Sequence, residues 1–359
     1  MVSPYSSPPS QRPLARLSFL CILILGLLVP QICRGDDATD AFDKGIGASN
    51  RNDYDLAIAD FSEAIRLDTN FAVAYYYRAS AYHTKGDNDR AIADYSEFIK
   101  MRPKLDPSAY LYRGSAYRWK GDYDRAIADY SDFIRLQPDD VTGYIDRGSA
   151  YRSKGDYNKA VADYNEAIRL KTNYTDAWYY LGEADGEQGK YDEAVAVYRQ
   201  AIKLSPNYAR AWNGLGVVYY SQGKYDEAIA AHRQATKLEP DLVLAWLHLG
   251  LDYERQDKYD EAMAAYRQAI NLKPDSPEAW QGLGSVYGGQ GKYDDAITAC
   301  RQAIKLKPAF PNAWFYLGRI YEVQGKQSEA LDALDHLRKL DPSLADKLAG
   351  LLSSKGLQP

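Results

Sequence analysis

The residue types that usually carry acid–base or metal chemistry are scarce in this sequence. Histidine appears only at His83, His232, His248 and His336, so neither paired imidazole ligands nor an imidazole general base is expected. The chain also lacks a glycine-rich phosphate loop and a nucleophile elbow, the patterns of many phosphate-binding enzymes and hydrolases. We therefore predict a protein that is not an enzyme and that uses no metal or cofactor.

Charged residues recur in a fixed arrangement over the first half of the chain. Four basic residues are each followed sixteen positions later by an aspartate, and beyond Asp163 both disappear, with Leu181 first taking the basic position. This joint appearance favours partly buried ion pairs between neighbouring helices, which are costly to break one partner at a time. The alternative is a basic stripe that binds an anionic partner. The pairs are Lys44 with Asp60, Arg78 with Asp94, Arg113 with Asp129 and Arg147 with Asp163.

These charges keep their register because the sequence repeats itself every 34 residues. A tyrosine marks the period at Tyr191, Tyr225, Tyr259 and Tyr293. A period of this length predicts a solenoid, in which each unit buries its apolar face only by stacking on the next. Nine units run through residues 38–344, with one inserted residue in the segment 104–107. They begin near residues 38, 72, 107, 141, 175, 209, 243, 277 and 311.

Each unit reads as an antiparallel pair of helices. In residues 211–240, Trp212, Leu215 and Tyr219 recur at helical spacing and predict the first helix. Gly223 suits the left-handed conformation that commonly follows a helix, and Pro240 ends the second helix. The sequence thus predicts a helical hairpin repeated nine times.

Small residues mark places where this repeat departs from a uniform pattern. We expect Gly216 and Ala228 to face each other where the two helices of a hairpin cross. Asp185 and Gly186, and the pair at 288–289, are expected to weaken the first helices of the fifth and eighth units, because glycine lowers helix propensity.

The repeated pattern resembles the tetratricopeptide repeat family over residues 38–344. That resemblance implies an all-α fold, a right-handed α-solenoid in which antiparallel helix pairs form a superhelix. It also implies a concave groove, lined by the first helices of the repeats, where members of the family bind peptides or proteins. In one unit the resemblance is carried by Trp178, Leu181, Gly182, Gly189, Tyr191, Ala194, Tyr198, Ala201 and Pro206.

Many of the residues predicted to line this groove are apolar. Exposed apolar side chains on a concave surface favour a site for an extended or helical peptide, and the alternative is that some of them pack between neighbouring helices. The carboxylate clamp for heat-shock chaperones is not expected, because Phe42, Tyr77 and Tyr112 stand at three of the clamp positions. The predicted groove residues are Phe42, Tyr76, Leu111, Arg118, Trp119, Ile145, Arg152, Val217, Tyr220, Leu244, Leu247 and Leu251.

The N-terminal segment, residues 1–35, has the order of a secretory signal. Arg12 and Arg16 precede an apolar run at 17–29, and small residues end at Gly35, after which cleavage is expected. The run is shorter than the ~20 residues of a membrane-spanning helix, although an uncleaved membrane anchor is the alternative. Export predicts a periplasmic or extracellular protein, and the anchor predicts one that contacts the membrane.

Both the C-terminus and the composition bear on function. Residues 345–359 are expected to form a capping helix, with Leu348, Leu351 and Leu352 on its apolar face, followed by a tail.

Outside the signal the only cysteine is Cys300, expected to be a small buried hydrophobe. The formal net charge of −5 argues against a nucleic-acid partner. We predict an exported, non-catalytic scaffold for protein–protein interaction; the alternative is a membrane-tethered assembly or accessory factor.

Overall fold

A computed structural model describes residues 36–103 and 106–354, and every regular element in those ranges is an α-helix. The predicted signal segment 1–35, the inserted position at 104–105 and the tail at 355–359 lie outside the described residues. The helices are α1 (Asp36–Asn50), α2 (Tyr54–Leu67), α3 (Ala72–Thr84), α4 (Asn88–Met101), α5 (Ser108–Trp119), α6 (Tyr123–Leu136), α7 (Val141–Lys154), α8 (Tyr157–Leu170), α9 (Thr175–Glu187), α10 (Tyr191–Leu204), α11 (Ala209–Ser221), α12 (Tyr225–Leu238), α13 (Val243–Arg255), α14 (Tyr259–Leu272), α15 (Pro277–Gly289), α16 (Tyr293–Leu306), α17 (Pro311–Val323), α18 (Gln327–Leu340) and α19 (Pro342–Ser354).

Within each unit the helices form antiparallel hairpins, and the all-α solenoid is confirmed. They belong to two compact units that divide between Gln188 and Gly189. Unit 1 contains α1–α9 and unit 2 contains α10–α19. The right hand of the superhelix stays a prediction.

Within each unit the helices form two layers. The first helix of a repeat contacts the first helix of the next repeat, as α5 does with α7 and α13 with α15. Among the described residues of either unit, no second helix touches another second helix. The first helices therefore form one continuous layer, and the second helices pack against it.

Local chemistry sets the ends of these helices. Asp87 caps α4 by accepting a hydrogen bond from the backbone N–H of Arg90, because the first turn of a helix leaves its N–H groups unpaired. Gly121 ends α5 with a φ of +79°, a conformation that costs little without a Cβ. Asn52 and Asp257 hold the same repeat position with φ values of +60° and +57°, so the fold imposes the left-handed turn even without glycine.

The hairpin helices cross closely, although not through the expected pair. A Cβ built on Gly216 would lie 2.5 Å from Nε2 of His232, so the imidazole and not Ala228 is its nearest neighbour. Gly114 is covered in the same way by the ring of Tyr130. The crossings are therefore filled by a large side chain of the second helix lying over a glycine of the first helix.

The expected weakness of two first helices does not shorten them. Both α9 and α15 are continuous over 13 residues, the length of most of their neighbours. Asp185 and Gly186 are buried, and a Cβ on Gly289 would meet the ring of Tyr259 at 2.9 Å. Packing thus holds these segments in the helix, because tertiary contacts supply most of the stability of a short helix.

The capping helix is present and begins slightly earlier than predicted, at Pro342. It packs on α17 and α18, with Leu348 and Leu352 fully buried. Leu351 was expected on the packed face, but 39% of it is exposed. None of the described helices combines the length and the apolar character needed to cross a membrane.

Candidate partner-binding face

The surface predicted to bind a partner belongs to the layer of first helices. We call it the first-helix face and define it by the second, fifth, ninth and twelfth residues of each repeat, counted from the repeat starts given above, together with the residues beside them. These residues share one side of each first helix, because side chains three or four residues apart lie on the same side of a helix.

The predicted groove residues differ widely in exposure. Ile145 and Val217 are buried, whereas 44% of Trp119 and 38% of Leu244 is exposed. The half-buried residues are Phe42, Tyr76, Leu111, Arg118 and Arg152 in unit 1, and Tyr220, Leu247 and Leu251 in unit 2.

Two aromatic groove residues of unit 1 pack mainly within the protein. The Phe42 ring lies 5.1 Å from the Phe71 ring, and the Tyr76 ring lies 5.2 Å from the Phe98 ring, measured between centroids. The hydroxyl of Tyr76 lies 2.8 Å from Oγ of Ser108 in the next repeat. Both residues therefore join neighbouring helices, which leaves less of their surface for a partner.

The leucines of α13 have mixed roles. Leu247 packs against the core of unit 2, whereas Leu244 lies at the helix start and projects into solvent. Nearby, Nε of Arg255 donates a 2.6 Å hydrogen bond to the hydroxyl of Tyr220. The first-helix face of unit 2 thus combines an accessible apolar edge with a fixed tyrosine.

The predicted ion pairs of unit 1 are present in three repeats out of the four. Arg113 is bidentate on Asp129, with Nε at 2.8 Å and Nη2 at 2.7 Å from its two oxygens. The pairs Arg78–Asp94 and Arg147–Asp163 repeat this geometry. Burial raises the pKa of Asp129 although Arg113 opposes that rise, as expected for a pair whose desolvation offsets its attraction.

A serine completes each of these pairs and was not predicted. Nη1 of Arg113 donates to Oγ of Ser96 at 3.0 Å, which belongs to the preceding repeat. Ser62 and Ser131 accept from the other two arginines in the same way. Recurrence of serine at one repeat position was the available sequence signal.

The first predicted pair is not formed. Lys44 is exposed, and the described residues contain no ion pair between it and Asp60. Lysine lacks the planar fork that lets arginine bind an aspartate and a serine together.

Two further arginines of unit 1 lie on the first-helix face, at the twelfth position of their repeats. Arg152 lies 3.3 Å from an oxygen of Glu183 and 3.0 Å from an oxygen of Glu187, both on α9. The Nε atoms of Arg118 and Arg152 are both buried without a hydrogen-bond partner. Burial lowers the pKa of Arg118, but Tyr130 and Asp146 more than compensate, so its pKa lies above the ordinary value. The two arginines therefore differ in the groups that stabilise their charge, which are Glu183 and Glu187 for Arg152 and Tyr130 and Asp146 for Arg118.

Unit 2 contains a buried polar cluster beside this face. Nδ1 of His232 lies 2.6 Å from Oδ2 of Asp252, and Nδ1 of His248 lies 3.0 Å from Oδ1 of Asn213. Burial lowers the pKa of both histidines to about 3 and raises the pKa of Asp252 to about 8. No group of residues in the described ranges has the arrangement of a metal site.

Cys300 is buried, as predicted, and burial raises the pKa of its thiol to about 12. A thiol held protonated in this way is a poor nucleophile, so Cys300 serves as packing beside Gly284.

Comparison with protein families gives matches along most of the array. A family model described as a tetratricopeptide repeat matches residues 42–106 and 79–141, and one described as a TPR repeat matches 148–189 and 185–223. A third, described as the C-terminal domain of cilia and flagella-associated protein 70, matches residues 208–357. A search of curated proteins gives no match to this chain.

Several solved structures resemble the chain. A chain from the APC/C hetero-tetramer Cut9–Hcn1 is 19% identical with a TM-score of 0.56; the match covers 78% of this protein but only 55% of that chain. A tetratricopeptide repeat protein from Parabacteroides merdae is 17% identical with a TM-score of 0.55, covering 68% of this protein and 98% of its own chain. The crystal structure of MamA is 31% identical over 45% of this protein and 94% of its own chain, with a TM-score of 0.40.

The first two structures share the fold alone at such low identity. The helical hairpins, their 34-residue period and the repeat models that match from residue 42 to residue 223 carry the assignment further. The chain is a tetratricopeptide repeat protein with many helical repeats.

Proposed function

We propose that this protein is a non-catalytic scaffold that binds a peptide or protein partner on the first-helix face. The tetratricopeptide repeat fold supports a role in protein interaction. The observation that carries the proposal is the layer of first helices in each unit, which keeps large apolar side chains accessible, such as Trp119 in unit 1 and Leu244 in unit 2. Accessible apolar surface along a helix layer suits an extended or helical peptide.

The proposal includes export from the cytoplasm. It is supported by the order of basic residues, apolar run and small residues in the segment 1–35. Intact mass of the protein isolated from its host tests this part, because removal of that segment leaves a chain that begins at Asp36. A full-length mass in the membrane fraction would favour the alternative, a membrane-tethered assembly or accessory factor.

A matched pair of substitutions tests the binding face. Leu244 on α13 and Leu272 at the end of α14 are almost equally exposed, at 38% and 37%, but only Leu244 belongs to the first-helix face. Leu244→Asp is expected to lower capture of partners from the native compartment about tenfold or more, as removal of an apolar anchor does. Leu272→Asp is expected to leave capture unchanged.

Quantitative mass spectrometry of captured proteins reads out the comparison, and thermal melting of both variants serves as the folding control. Equal loss of capture in the two variants at equal stability would show that the partner does not use this face. The double variant Leu247→Asp with Leu251→Asp extends the test along α13. If that variant unfolds, these two leucines are packing residues.

A further inference from the structure

Four aromatic side chains form a continuous row across the first three repeats. Phe42 of α1 lies 5.5 Å from Tyr77 of α3, measured between ring centroids. Tyr76, beside Tyr77 on α3, lies 5.5 Å from Tyr77 and 6.3 Å from Tyr112 of α5. We call these four residues the aromatic row. They stand at the fifth and sixth positions of their repeats, so the row belongs to the first-helix face of unit 1.

The aromatic row is held from below by the second helices and stays partly accessible. The Tyr112 ring stacks on buried Tyr95 at 6.2 Å, and the Phe42 ring lies 5.6 Å from buried Phe61. All four members of the row keep part of their surface exposed. The protein therefore fixes these rings before a ligand arrives, which lowers the entropy lost on binding.

The fold does not require rings at the sixth position. Unit 2 has glycine there in two repeats, and a Cβ built on Gly214 would lie 2.5 Å from the ring of Tyr198 in the preceding repeat. Gly282 meets the ring of Tyr266 at the same distance. Those hairpins stack with no side chain from the first helix at this position. Stacking alone therefore does not explain why the first three repeats carry a row of rings on their face.

The surface beside the aromatic row is nearly free of charge. No residue at the second, fifth or ninth position of the first three repeats is charged, and Asp43, at the sixth position of the first repeat, is exposed. In later repeats the second position alone holds Asp176, Arg210 and Glu278. An uncharged surface favours an uncharged ligand, because a charged side chain would lose hydration there without gaining a partner.

The spacing of the first helices matches an extended segment with three residues per turn. Helix α1 contacts α3, and α3 contacts α5. Helices in contact lie about 8–10 Å apart, and a polyproline II helix advances about 9 Å per turn, so every third residue meets the next repeat. An α-helix laid across the layer repeats about every 5.4 Å, and a β-strand returns to the same side about every 6.5 Å. Neither keeps step with the repeats.

We propose that the aromatic row binds an uncharged, proline-rich segment of the partner in the polyproline II conformation. This inference rests on the proposed function and names the chemistry of its ligand. The segment crosses α1, α3 and α5, and one residue in three packs on the rings of each repeat. Proline suits this surface because its fixed φ leaves little conformational entropy to lose, and aromatic grooves bind such segments.

Direct binding of a synthetic peptide tests the proposal. The probe is decaproline with blocked termini, which is uncharged, adopts the polyproline II conformation and is about 30 Å long, enough to cross the three repeats. A decapeptide of alternating glycine and serine with blocked termini is the matched control, because it is equally uncharged but flexible. Isothermal titration calorimetry of the full chain measures both affinities.

We expect the full chain to bind decaproline at least about tenfold more tightly than the control peptide. Tyr112→Leu keeps an apolar side chain but removes one ring of the row, and it should weaken decaproline binding about fivefold. Tyr157→Leu removes a half-buried tyrosine at the start of α8, outside the first-helix face, and should leave binding unchanged. Thermal melting of both variants controls for folding.

Each other outcome overturns a defined statement. Equal affinity for the two peptides would reject the proline-rich ligand, and the proposed function would stand if Leu244→Asp still lowers capture of partners. Equal weakening by Tyr112→Leu and Tyr157→Leu at equal stability would reject the aromatic row as the site. If Tyr112→Leu unfolds, the two peptides on the wild-type chain still decide. If decaproline does not bind and Leu244→Asp captures as much as Leu272→Asp, the proposed function fails with the inference.

Discussion

The two units use the same repeat length but join consecutive repeats by different chemistry. In unit 1 an arginine of the first helix, such as Arg147, pairs with an aspartate of its own hairpin and with Ser131 of the preceding repeat. In unit 2 the serine position holds an arginine, which donates to a tyrosine of the next repeat, as Arg267 does to Tyr287 at 2.8 Å. Arg199–Tyr219 and Arg301–Tyr321 repeat that contact.

In both units an arginine joins consecutive repeats. That arginine lies on the first helix of a repeat in unit 1 and on the second helix in unit 2. Where the arginine sits on the first helix, it is half-buried and needs an aspartate. Where it sits on the second helix, it is exposed, as Arg267 is, and a neutral phenol suffices as its partner. Leucine then fills the vacated position, as Leu215 and Leu249 do, and is buried. We therefore expect that removing only the arginine or only the aspartate of a unit 1 pair destabilises the protein, whereas replacing both costs little.

The exposed edge of the array shows a parallel difference. A lysine at the C-terminal end of a first helix of unit 1 pairs with an aspartate of the preceding repeat, as Lys154 does with Asp124 at 2.6 Å. In unit 2 a glutamine makes the equivalent bond, as Gln256 does with Asp226 at 2.9 Å. We call this contact between repeats the staple. It is an ion pair in unit 1 and an amide–carboxylate hydrogen bond in unit 2.

The largest expected effect is the loss of one partner from the buried pair. Arg113→Leu leaves Asp129 buried without its cation and should lower the free energy of unfolding by about 3–5 kcal/mol. Asp129→Ala added to it copies the later repeats and should recover most of that loss. Denaturant unfolding of the four proteins of this cycle measures the coupling, and additive effects would show that the two residues do not act as a pair.

The buried histidines of unit 2 should make that unit sensitive to acid. The folded pKa of His248 is about 3 against an ordinary 6.5, so its contribution to stability is complete above pH 6.5 and is lost as the pH falls toward 3. His232 behaves alike, but the raised pKa of its partner Asp252 opposes it, because an acid that stays protonated when folded stabilises more as the pH falls.

Removing the acid should expose that sensitivity. Asp252→Asn keeps the shape of the side chain but abolishes the opposing titration, so the fall in stability from pH 7 to pH 5 should steepen by about 2 kcal/mol. Hydrogen exchange of the amides of α12 and α13 at the two pH values measures the change. Parallel pH profiles for the variant and the wild-type chain would contradict the assigned protonation states.

A smaller effect is expected for the arginines of unit 2. Arg267→Leu removes an exposed hydrogen bond to Tyr287 and leaves that hydroxyl accessible to water, so the loss should be about 0.5–1.5 kcal/mol. The comparison with Arg113→Leu is the informative result, measured by the same denaturant method. Equal losses would mean that burial does not distinguish the two junctions.

The smallest expected effect concerns the staples. Lys154→Gln copies unit 2 and should change stability by less than about 0.5 kcal/mol, because both Lys154 and Asp124 are largely exposed. It should also reduce the dependence of stability on salt, since only the ionic staple is screened. Denaturant midpoints at low and high salt check this, and an increased salt dependence would contradict it.

The sequence predicted those features that depend on one repeat or on residues that vary together. Helical hairpins follow from the 34-residue period, and Arg113–Asp129 follows from the joint disappearance of base and acid. The contacts of Ser96 and Arg267 were missed because each partner belongs to another repeat, so the contact depends on how hairpins stack. His232 was missed as a buried acid–base pair because its position usually holds an aromatic residue.

The candidate site was less predictable than the fold. Exposure of Trp119 and burial of Ile145 could not be separated from the sequence, because both stand on the same predicted face. The difference between Arg118 and Arg152 also depends on side chains of the next repeat. It can be read from the sequence only once the stacking of first helices is known.

The central claim is that the residues joining repeats in one unit can replace those of the other unit as a group. Substituting the whole group at one junction tests it most directly. The triple variant Ser131→Arg, Arg147→Leu and Asp163→Ala gives unit 1 the junction of unit 2, with Tyr151 twenty residues after the new arginine, the spacing of Arg199 and Tyr219. Its free energy of unfolding should lie within about 1 kcal/mol of the wild-type value, whereas Arg147→Leu alone should lose about 3–5 kcal/mol. A triple variant as unstable as the single one would contradict the account.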